Sequence, residues 1–161
     1  MQSSRKKWVP TVTLNITVIT PTVIFQSCDY RLSDPKSGQP ENEPSTKILT
    51  VSFKKWSGFL TYAGIGRMGS KETSEFAAEW FQGRSNLSFD QATELIRERS
   101  SSWVHKVASR YSHHTFVLAA FTGSRATVAI ISNYQRWPGS KCMSVSSEML
   151  ATKIKSYGSN G

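Results

Sequence analysis

Residues 11–28 have the sequence TVTLNITVITPTVIFQSC, and the pattern of this stretch is the clearest structural signal in the chain. Apolar residues alternate with polar ones from Thr11 onwards, the apolar set being Val12, Leu14, Ile16 and Val18. A period of two predicts a strand with one buried face, and we expect the apolar set to form that face. Because proline cannot continue a central strand, Pro21 predicts a turn before a second strand over residues 23–28. The two strands predict a hairpin that delivers Asp29 to one end of a sheet.

The remaining pattern supplies further strands on either side of two helices. Residues 48–53 and 59–63 predict strands around a turn at 54–58, followed by a bend at Gly64-Ile65-Gly66. Helical spacing predicts helices over residues 71–81 and 88–111, and Ser88 with Gln91 predicts a capping box for the second. Residues 115–121 and 125–132 predict a hairpin that turns at Gly123, and residues 146–155 predict a short helix. Two successive helices between sheet segments indicate an α+β fold.

Composition limits the function classes. The 161 residues fit one domain, and the net charge of +9 would suit an acidic partner. However, the basic residues are scattered and no nucleic-acid-binding motif is present, which disfavours nucleic acid as a partner. No run approaches the ~18 apolar residues of a membrane span. Two cysteines form no disulfide framework, so we expect a cytoplasmic protein in which Cys28 is a core residue.

The polar residues at the predicted strand ends are the candidates for chemistry. Taken singly, Thr13 is a solvent-facing strand threonine and Lys47 a surface lysine, while Asp29 and Arg31 form a strand-end ion pair. The histidines, His105 and the pair His113-His114, have no acidic or cysteine partners at metal-ligand spacing, so we predict no metal and no cofactor. Only the order and context of the candidates favour a catalytic interpretation.

Four motifs follow one another along the chain, and their order is informative. They are Thr13-Leu14-Asn15-Ile16-Thr17-Val18, Cys28-Asp29-Tyr30-Arg31-Leu32-Ser33, Thr46-Lys47-Ile48 and Thr61-Tyr62-Ala63-Gly64. Together they resemble the first half of a proteasome β-type subunit of the N-terminal-nucleophile hydrolase superfamily, and more closely still uncharacterised bacterial proteins of that superfamily. Residues 116–121 and 130–133 resemble two later strands of these proteins, so the resemblance covers residues 11–133. A further short match occurs at residues 158–161.

The resemblance implies a four-layer αββα sandwich and a threonine-type amidohydrolase or peptidase, acting on peptide or amide bonds within a homo-oligomer. Thr13 would supply the nucleophilic hydroxyl, and its freed α-amine, which titrates near ~8, would serve as the base. Lys47 would stabilise developing negative charge beside that hydroxyl. Asp29 would pair with Lys47 and fix its position.

The resemblance also assigns supporting roles. The Gly64 N–H would be an oxyanion donor, and Ser159 would match a serine that supports the nucleophile. The implied substrate-binding residues are Arg31, Ser33 and Tyr62. Ser33 would meet the substrate backbone, and Tyr62 would help to shape the specificity pocket.

Two departures from the family pattern keep an alternative open. Thr13 is internal, so we expect residues 1–12 to be a leader or propeptide before a domain over 13–161, with Thr11 as a rival nucleophile whose spacing to Asp29 fits worse. The family continues beyond the element that matches residues 158–161, so we expect a fold that is incomplete at its C-terminal end and exposes part of an apolar sheet face. The alternative function is a catalytically inactive, proteasome-like structural or interaction subunit.

Overall fold

The computed structural model describes residues 14–29, 45–68, 70–107, 114–136 and 143–155. Its elements in chain order are β1 (Asn15–Ile19), β2 (Ile24–Cys28), β3 (Ile48–Phe53), β4 (Trp56–Ala63), β5 (Arg67–Met68), β6 (Lys71–Glu72), α1 (Thr73–Phe81), α2 (Phe89–Val107), β7 (Thr115–Thr122), β8 (Arg125–Arg136) and β9 (Met143–Lys155). Within these ranges the two predicted helices are confirmed. The first begins at Thr73 rather than Lys71, because β6 pairs with β5 in a small antiparallel ribbon.

An antiparallel sheet of five strands, in the order β3-β4-β7-β8-β9, forms the centre of the molecule. Lys54 and Lys55 alone make the turn between β3 and β4. The prediction of a longer turn to Gly58 is wrong, because Trp56 pairs with Phe53 across the ladder and stacks on its ring at 4.5 Å. The predicted turn between β7 and β8 is confirmed, and Gly123 takes the positive φ of 68° that glycine tolerates.

Both helices pack on one face of this sheet and form the core with it. Leu60, Phe116, Leu118 and Ile131 supply the sheet side, and Ala92, Ile96 and Val104 supply the side of α2. The predicted capping box begins α2, because the Ser88 N–H donates to Gln91 Oε1 at 2.9 Å and the Gln91 N–H donates to Ser88 Oγ at 3.2 Å. Each large apolar side chain buried here contributes roughly 1.5–3 kcal/mol.

The hairpin of β1 and β2 lies against the opposite face of the sheet. Its turn is the predicted one, with the Thr20 N–H donating to the Val23 carbonyl at 2.9 Å. Gln26 fixes its position by donating from Nε2 to Thr61 Oγ1 at 2.7 Å and to the Val117 carbonyl at 3.3 Å. The hairpin is therefore a separate two-stranded layer over β4 and β7.

The prediction for the buried face of this hairpin is wrong. The face that meets the sheet carries Asn15, Thr17 and Gln26 together with Ile19 and Ile24. The opposite face is exposed and apolar, and it consists of Leu14, Ile16, Val18, Val23 and Phe25. Because both faces carry apolar residues, alternation alone cannot identify the one that is covered.

The apolar residues of β7 and β8 are covered unequally. We expected part of this apolar face to be exposed; Leu118, Val128 and Ile131 are buried, whereas Val117, Phe121 and Ile130 are half-buried. The largest exposed apolar side chain of the described ranges is Phe25, on the hairpin. The open apolar surface therefore belongs to the two-stranded layer.

The predicted helix at residues 146–155 is a strand instead. These residues belong to β9, which pairs with β8 from Arg136 to Thr127. Met149 is fully buried, and its N–H donates to Ser101 Oγ of α2 at 3.2 Å. Glu148, Met149, Leu150 and Ala151 favour a helix in isolation, but the free edge of β8 offers a full ladder of hydrogen bonds, and tertiary context outweighs propensity.

The chain is thus a mixed α/β protein with antiparallel sheets and helices on one face. The described layers are helices, five-stranded sheet and hairpin; no second helical layer occurs in these ranges, and the four-layer αββα sandwich stays a prediction. Of the two helices described, neither combines the length and the apolar character needed to cross a bilayer.

Candidate functional site

Several strand ends meet at one end of the central sheet, which we call the site end. Since β3 and β4 are antiparallel, the start of β3 and the end of β4 lie together there. Lys47 directly precedes β3, Gly64 directly follows β4, and His114 directly precedes β7. Asp29, directly after β2, reaches the same place from the hairpin through its contact with Lys47. Four residues remote in sequence thus meet because of the strand order.

An ion pair between Lys47 and Asp29 is the central feature of the site end. Lys47 Nζ lies 2.5 Å from Asp29 Oδ1, which confirms the predicted pair. The Lys47 side chain is only 2% exposed, whereas the Asp29 side chain is 33% exposed. A buried ammonium needs a charged or hydrogen-bonding partner, since desolvation otherwise favours its neutral form. The alternative prediction, that Lys47 is a surface lysine, is therefore wrong.

The second oxygen of Asp29 holds the start of β1. The Leu14 N–H donates to Asp29 Oδ2 at 3.2 Å, and the Asp29 N–H donates to the Leu14 carbonyl at 3.2 Å. One carboxylate therefore binds the Lys47 ammonium and the backbone of the residue that follows Thr13. Four other predicted site residues, namely Thr13, Arg31, Ser33 and Ser159, lie outside the described residues.

Tyr62 lies within the core and contacts the segment that carries Lys47. Its side chain is 2% exposed, and its hydroxyl lies 3.1 Å from Ser45 Oγ and donates to the Thr46 carbonyl at 3.3 Å. Burial is the main cause that raises the Tyr62 pKa above its usual value, so the hydroxyl stays protonated and remains a donor. The Tyr62 N–H also donates to the Lys47 carbonyl at 3.3 Å. This position argues for support of the segment that carries Lys47, rather than for direct contact with a substrate.

Glu72 holds the same segment from the opposite side. Its Oε2 accepts hydrogen bonds from the Thr46 N–H and from Ser74 Oγ, both at 3.3 Å. Its Oε1 lies 3.4 Å from Arg67. The two residues before Lys47, Ser45 and Thr46, are therefore both held by hydrogen bonds, which restricts where the ammonium can lie.

Cys28 directly precedes Asp29 of the ion pair. It is buried, as predicted for a core residue. Burial raises the pKa of its thiol; nearby Lys47 opposes this shift and Asp29 adds to it. Because the thiolate is the reactive form of cysteine, a protonated buried thiol is a poor nucleophile.

The bend after β4 presents Gly64 at the surface. Gly64 is exposed and has a φ of 111°, a conformation that other residues rarely adopt. The next residue is bound on both sides: the Ile65 N–H donates to His114 Nδ1 at 3.0 Å, and the Ile65 carbonyl accepts from Thr73 Oγ1 at 2.6 Å. The Thr73 N–H donates to the Gly66 carbonyl at 3.0 Å. The bend is thus a fixed structure whose exposed part is Gly64.

His114 was missed as a contributor to the site by sequence reasoning, which considered it only as a metal ligand. It is 1% exposed, and its ring stacks on Tyr62 and meets Trp103 and Phe116 edge-on. The available signal was its position directly before an apolar strand, which favours burial. In the described ranges no three His, Cys, Asp or Glu side chains gather as a metal site.

The described site end combines a buried cation, its carboxylate partner and an exposed glycine bend. Such a cation can stabilise negative charge that develops beside it, more strongly here than in water because it is desolvated. A scan against models of known protein families finds no match, and neither do searches of curated proteins and of solved structures.

Proposed function

We propose that this chain is a threonine-type N-terminal-nucleophile amidohydrolase or peptidase, proteasome-like, that cleaves peptide or amide bonds. The observation that supports this proposal best is the shared use of Asp29. Its carboxylate binds the buried Lys47 ammonium on one oxygen and the Leu14 N–H on the other. Leu14 is the residue that follows Thr13 in the chain.

The proposed reaction begins after removal of residues 1–12, which gives Thr13 a free α-amine. The Thr13 hydroxyl attacks the substrate carbonyl carbon and its proton passes to that amine. The Lys47 ammonium favours the developing alkoxide, and the Gly64 N–H donates to the oxyanion. Collapse of the tetrahedral intermediate breaks the C–N bond, and the leaving amine takes the proton from the Thr13 α-amine. Water then hydrolyses the Thr13 ester by the same route.

We further propose that the protein acts as a homo-oligomer. The exposed hairpin face of Leu14, Ile16, Val18, Val23 and Phe25 supports this, since no charged residue occurs between positions 14 and 28 of a chain whose net charge is +9. Contiguous exposed apolar residues are typical of an interface. The same surface favours the alternative function, a proteasome-like subunit without activity that serves only in assembly.

Labelling with a threonine-directed peptide electrophile distinguishes the two functions. A form beginning at Thr13, with folding verified by circular dichroism, should be labelled at Thr13, and Thr13→Ala should abolish the labelling. Lys47→Met should lower the labelling rate by about 100-fold or more, the cost typical of losing one stabilising group. Lys55→Met, at an exposed lysine of the β3–β4 turn, is the matched control and should change nothing.

The unprocessed chain provides the contradicting outcome. Its Thr13 nitrogen is an amide without an available lone pair, so it should not react. Equal labelling of the unprocessed chain at Thr13 would exclude the mechanism. A labelling rate in Lys47→Met equal to that of the wild type would exclude the assigned role of Lys47, and a fully inert Thr13 form would favour the assembly subunit.

A further inference from the structure

Gly64 is held between two fixed neighbours. On one side, Ala63 pairs with Thr115 at the last position of the β4–β7 ladder. On the other side, the Ile65 N–H donates to His114 Nδ1 at 3.0 Å. Glycine has wide freedom in both backbone dihedrals, so it keeps the observed φ of 111° only while both neighbours stay in place. The hydrogen bond to His114 fixes the exit from this glycine together with the two bonds that Thr73 donates to the Ile65 and Gly66 carbonyls.

The same bond fixes the plane of the peptide between Gly64 and Ile65. In a trans peptide the N–H and the C=O point in opposite directions. With the Ile65 N–H directed at the buried His114, the Gly64 carbonyl is directed away from the core. The direction of the Gly64 carbonyl thus depends on an acceptor that is itself 1% exposed. The Gly64 N–H belongs to the preceding peptide, next to the rung between Ala63 and Thr115, and the bond to His114 acts on it through the dihedrals of Gly64.

His114 is suited to be that acceptor. A backbone N–H can only donate, so Nδ1 must carry a lone pair, and the ring must be neutral with its proton on Nε2. Burial lowers the pKa of His114 to about 3, which keeps the ring neutral near pH 7. The rings packed against it are Tyr62, Trp103 and Phe116, of which only Tyr62 titrates, and its pKa is raised.

The ring is also held in place from its own backbone. The His114 N–H donates to Asn133 Oδ1 at 2.7 Å, and the His114 carbonyl accepts from the Asn133 N–H at 3.2 Å and from Ser132 Oγ at 3.3 Å. Ser132 pairs with Thr115 in the last rung of the β7–β8 ladder, and Asn133 follows it. These backbone bonds and the three packed rings hold the ring in the position from which Nδ1 accepts from Ile65.

We propose that His114 is a positioning residue that holds the Gly64–Gly66 bend in the conformation required for oxyanion stabilisation. This inference rests on the proposed function, and His114 itself touches no reacting atom. Because misplacement of a catalytic group by about 1 Å costs on the order of 100-fold in rate, loss of the acceptor should slow the chemistry without weakening substrate binding.

Two substitutions separate the acceptor from the ring shape. His114→Phe keeps an aromatic ring but has no acceptor, whereas His114→Asn keeps an acceptor atom at the δ position. In the full chain, amide hydrogen exchange of Ile65 measured by NMR should be accelerated about tenfold or more in His114→Phe and stay protected in His114→Asn, the range expected for a local opening. Protection of Leu60 and Leu118, in β4 and β7, reports in each variant that the sheet is intact.

Labelling kinetics of the form that begins at Thr13 distinguish a positioning role of His114 from a role in stability alone. His114→Phe should lower the maximal rate at Thr13 by about 10- to 100-fold at an unchanged half-saturating concentration, and His114→Asn should restore most of it. Unchanged Ile65 protection in His114→Phe, or a maximal rate equal to that of the wild type, overturns the inference. Absence of labelling in the wild type as well overturns the proposed function instead, while the exchange data still decide whether His114 holds the bend.

Discussion

Replacing Asp29 by asparagine should destabilise the protein more than replacing Lys47 by methionine. The two partners of this ion pair differ in exposure, 33% for Asp29 and 2% for Lys47. Lys47→Met leaves a carboxylate that is partly hydrated and that still accepts the Leu14 N–H. Asp29→Asn removes the Asp29 carboxylate from an ammonium that is almost completely buried, which is the costlier defect.

The magnitudes follow from the burial of the charge that remains. Removing one partner of a buried pair costs about 3–5 kcal/mol, and we expect Asp29→Asn to lie in this range. For Lys47→Met we expect about 1–2 kcal/mol, because solvent screens the remaining carboxylate. In a domain of this size 1 kcal/mol shifts the melting temperature by roughly 2–4 °C, so Asp29→Asn should lower it by roughly 6–20 °C.

Urea denaturation of the two variants and of the double variant measures these terms. The slope of the free energy of unfolding against urea should stay constant, so that midpoint shifts report stability alone. The double-mutant cycle should return a coupling of about 1–3 kcal/mol between Asp29 and Lys47. A larger loss of unfolding free energy in Lys47→Met than in Asp29→Asn, or a coupling near zero, would show that the burial of the remaining charge does not set the cost.

Three further predictions test other parts of the structure. Gly58→Ala should destabilise the protein by about 3 kcal/mol or more, because the added Cβ would lie 2.2 Å from the Ala119 carbonyl oxygen. In the same urea assay Gly123→Ala should cost only about 1 kcal/mol, because Gly123 has a φ of 68° but open space around it. Between pH 7 and pH 5 His114 becomes protonated in the unfolded chain, at its ordinary pKa, but not in the folded chain, where its pKa is about 3. The free energy of unfolding should therefore fall over this range by about 2 kcal/mol more in the wild type than in His114→Phe. Equal pH profiles of the two proteins would contradict this. Phe25→Ser should reduce self-association measured by light scattering, whereas Ser52→Asn, at an exposed position of β3, should not. Equal association of both variants and the wild type would exclude the hairpin face as the interface.

The sequence alone predicts most of the local structure. Alternation, turn residues and the capping box locate the hairpin of β1 and β2, both helices and the hairpin of β7 and β8, because each of these signals depends on near neighbours. It fails at β9, where strong helix formers pair along the free edge of β8. It also fails for the β1–β2 hairpin, because the choice between two partly apolar faces is made by the sheet on which the hairpin lies.

The site could be predicted in part for the same reason. The pair of Asp29 and Lys47 was predicted from a resemblance of motifs in order, and the structure adds the burial of Lys47 and the bond to Leu14. The contribution of His114 could not be predicted, since its bond to Ile65 joins residues 49 positions apart. Such a contact depends on the pairing of β4 with β7, which no local pattern encodes.

The N-terminus of the native protein tests the central claim most directly. Intact-mass measurement followed by N-terminal sequencing determines which residue carries the free α-amine. We expect a chain that begins at Thr13, since only a free amine on the nucleophilic threonine can accept the hydroxyl proton. A native chain that retains Met1 and is inert towards the threonine-directed electrophile would contradict it.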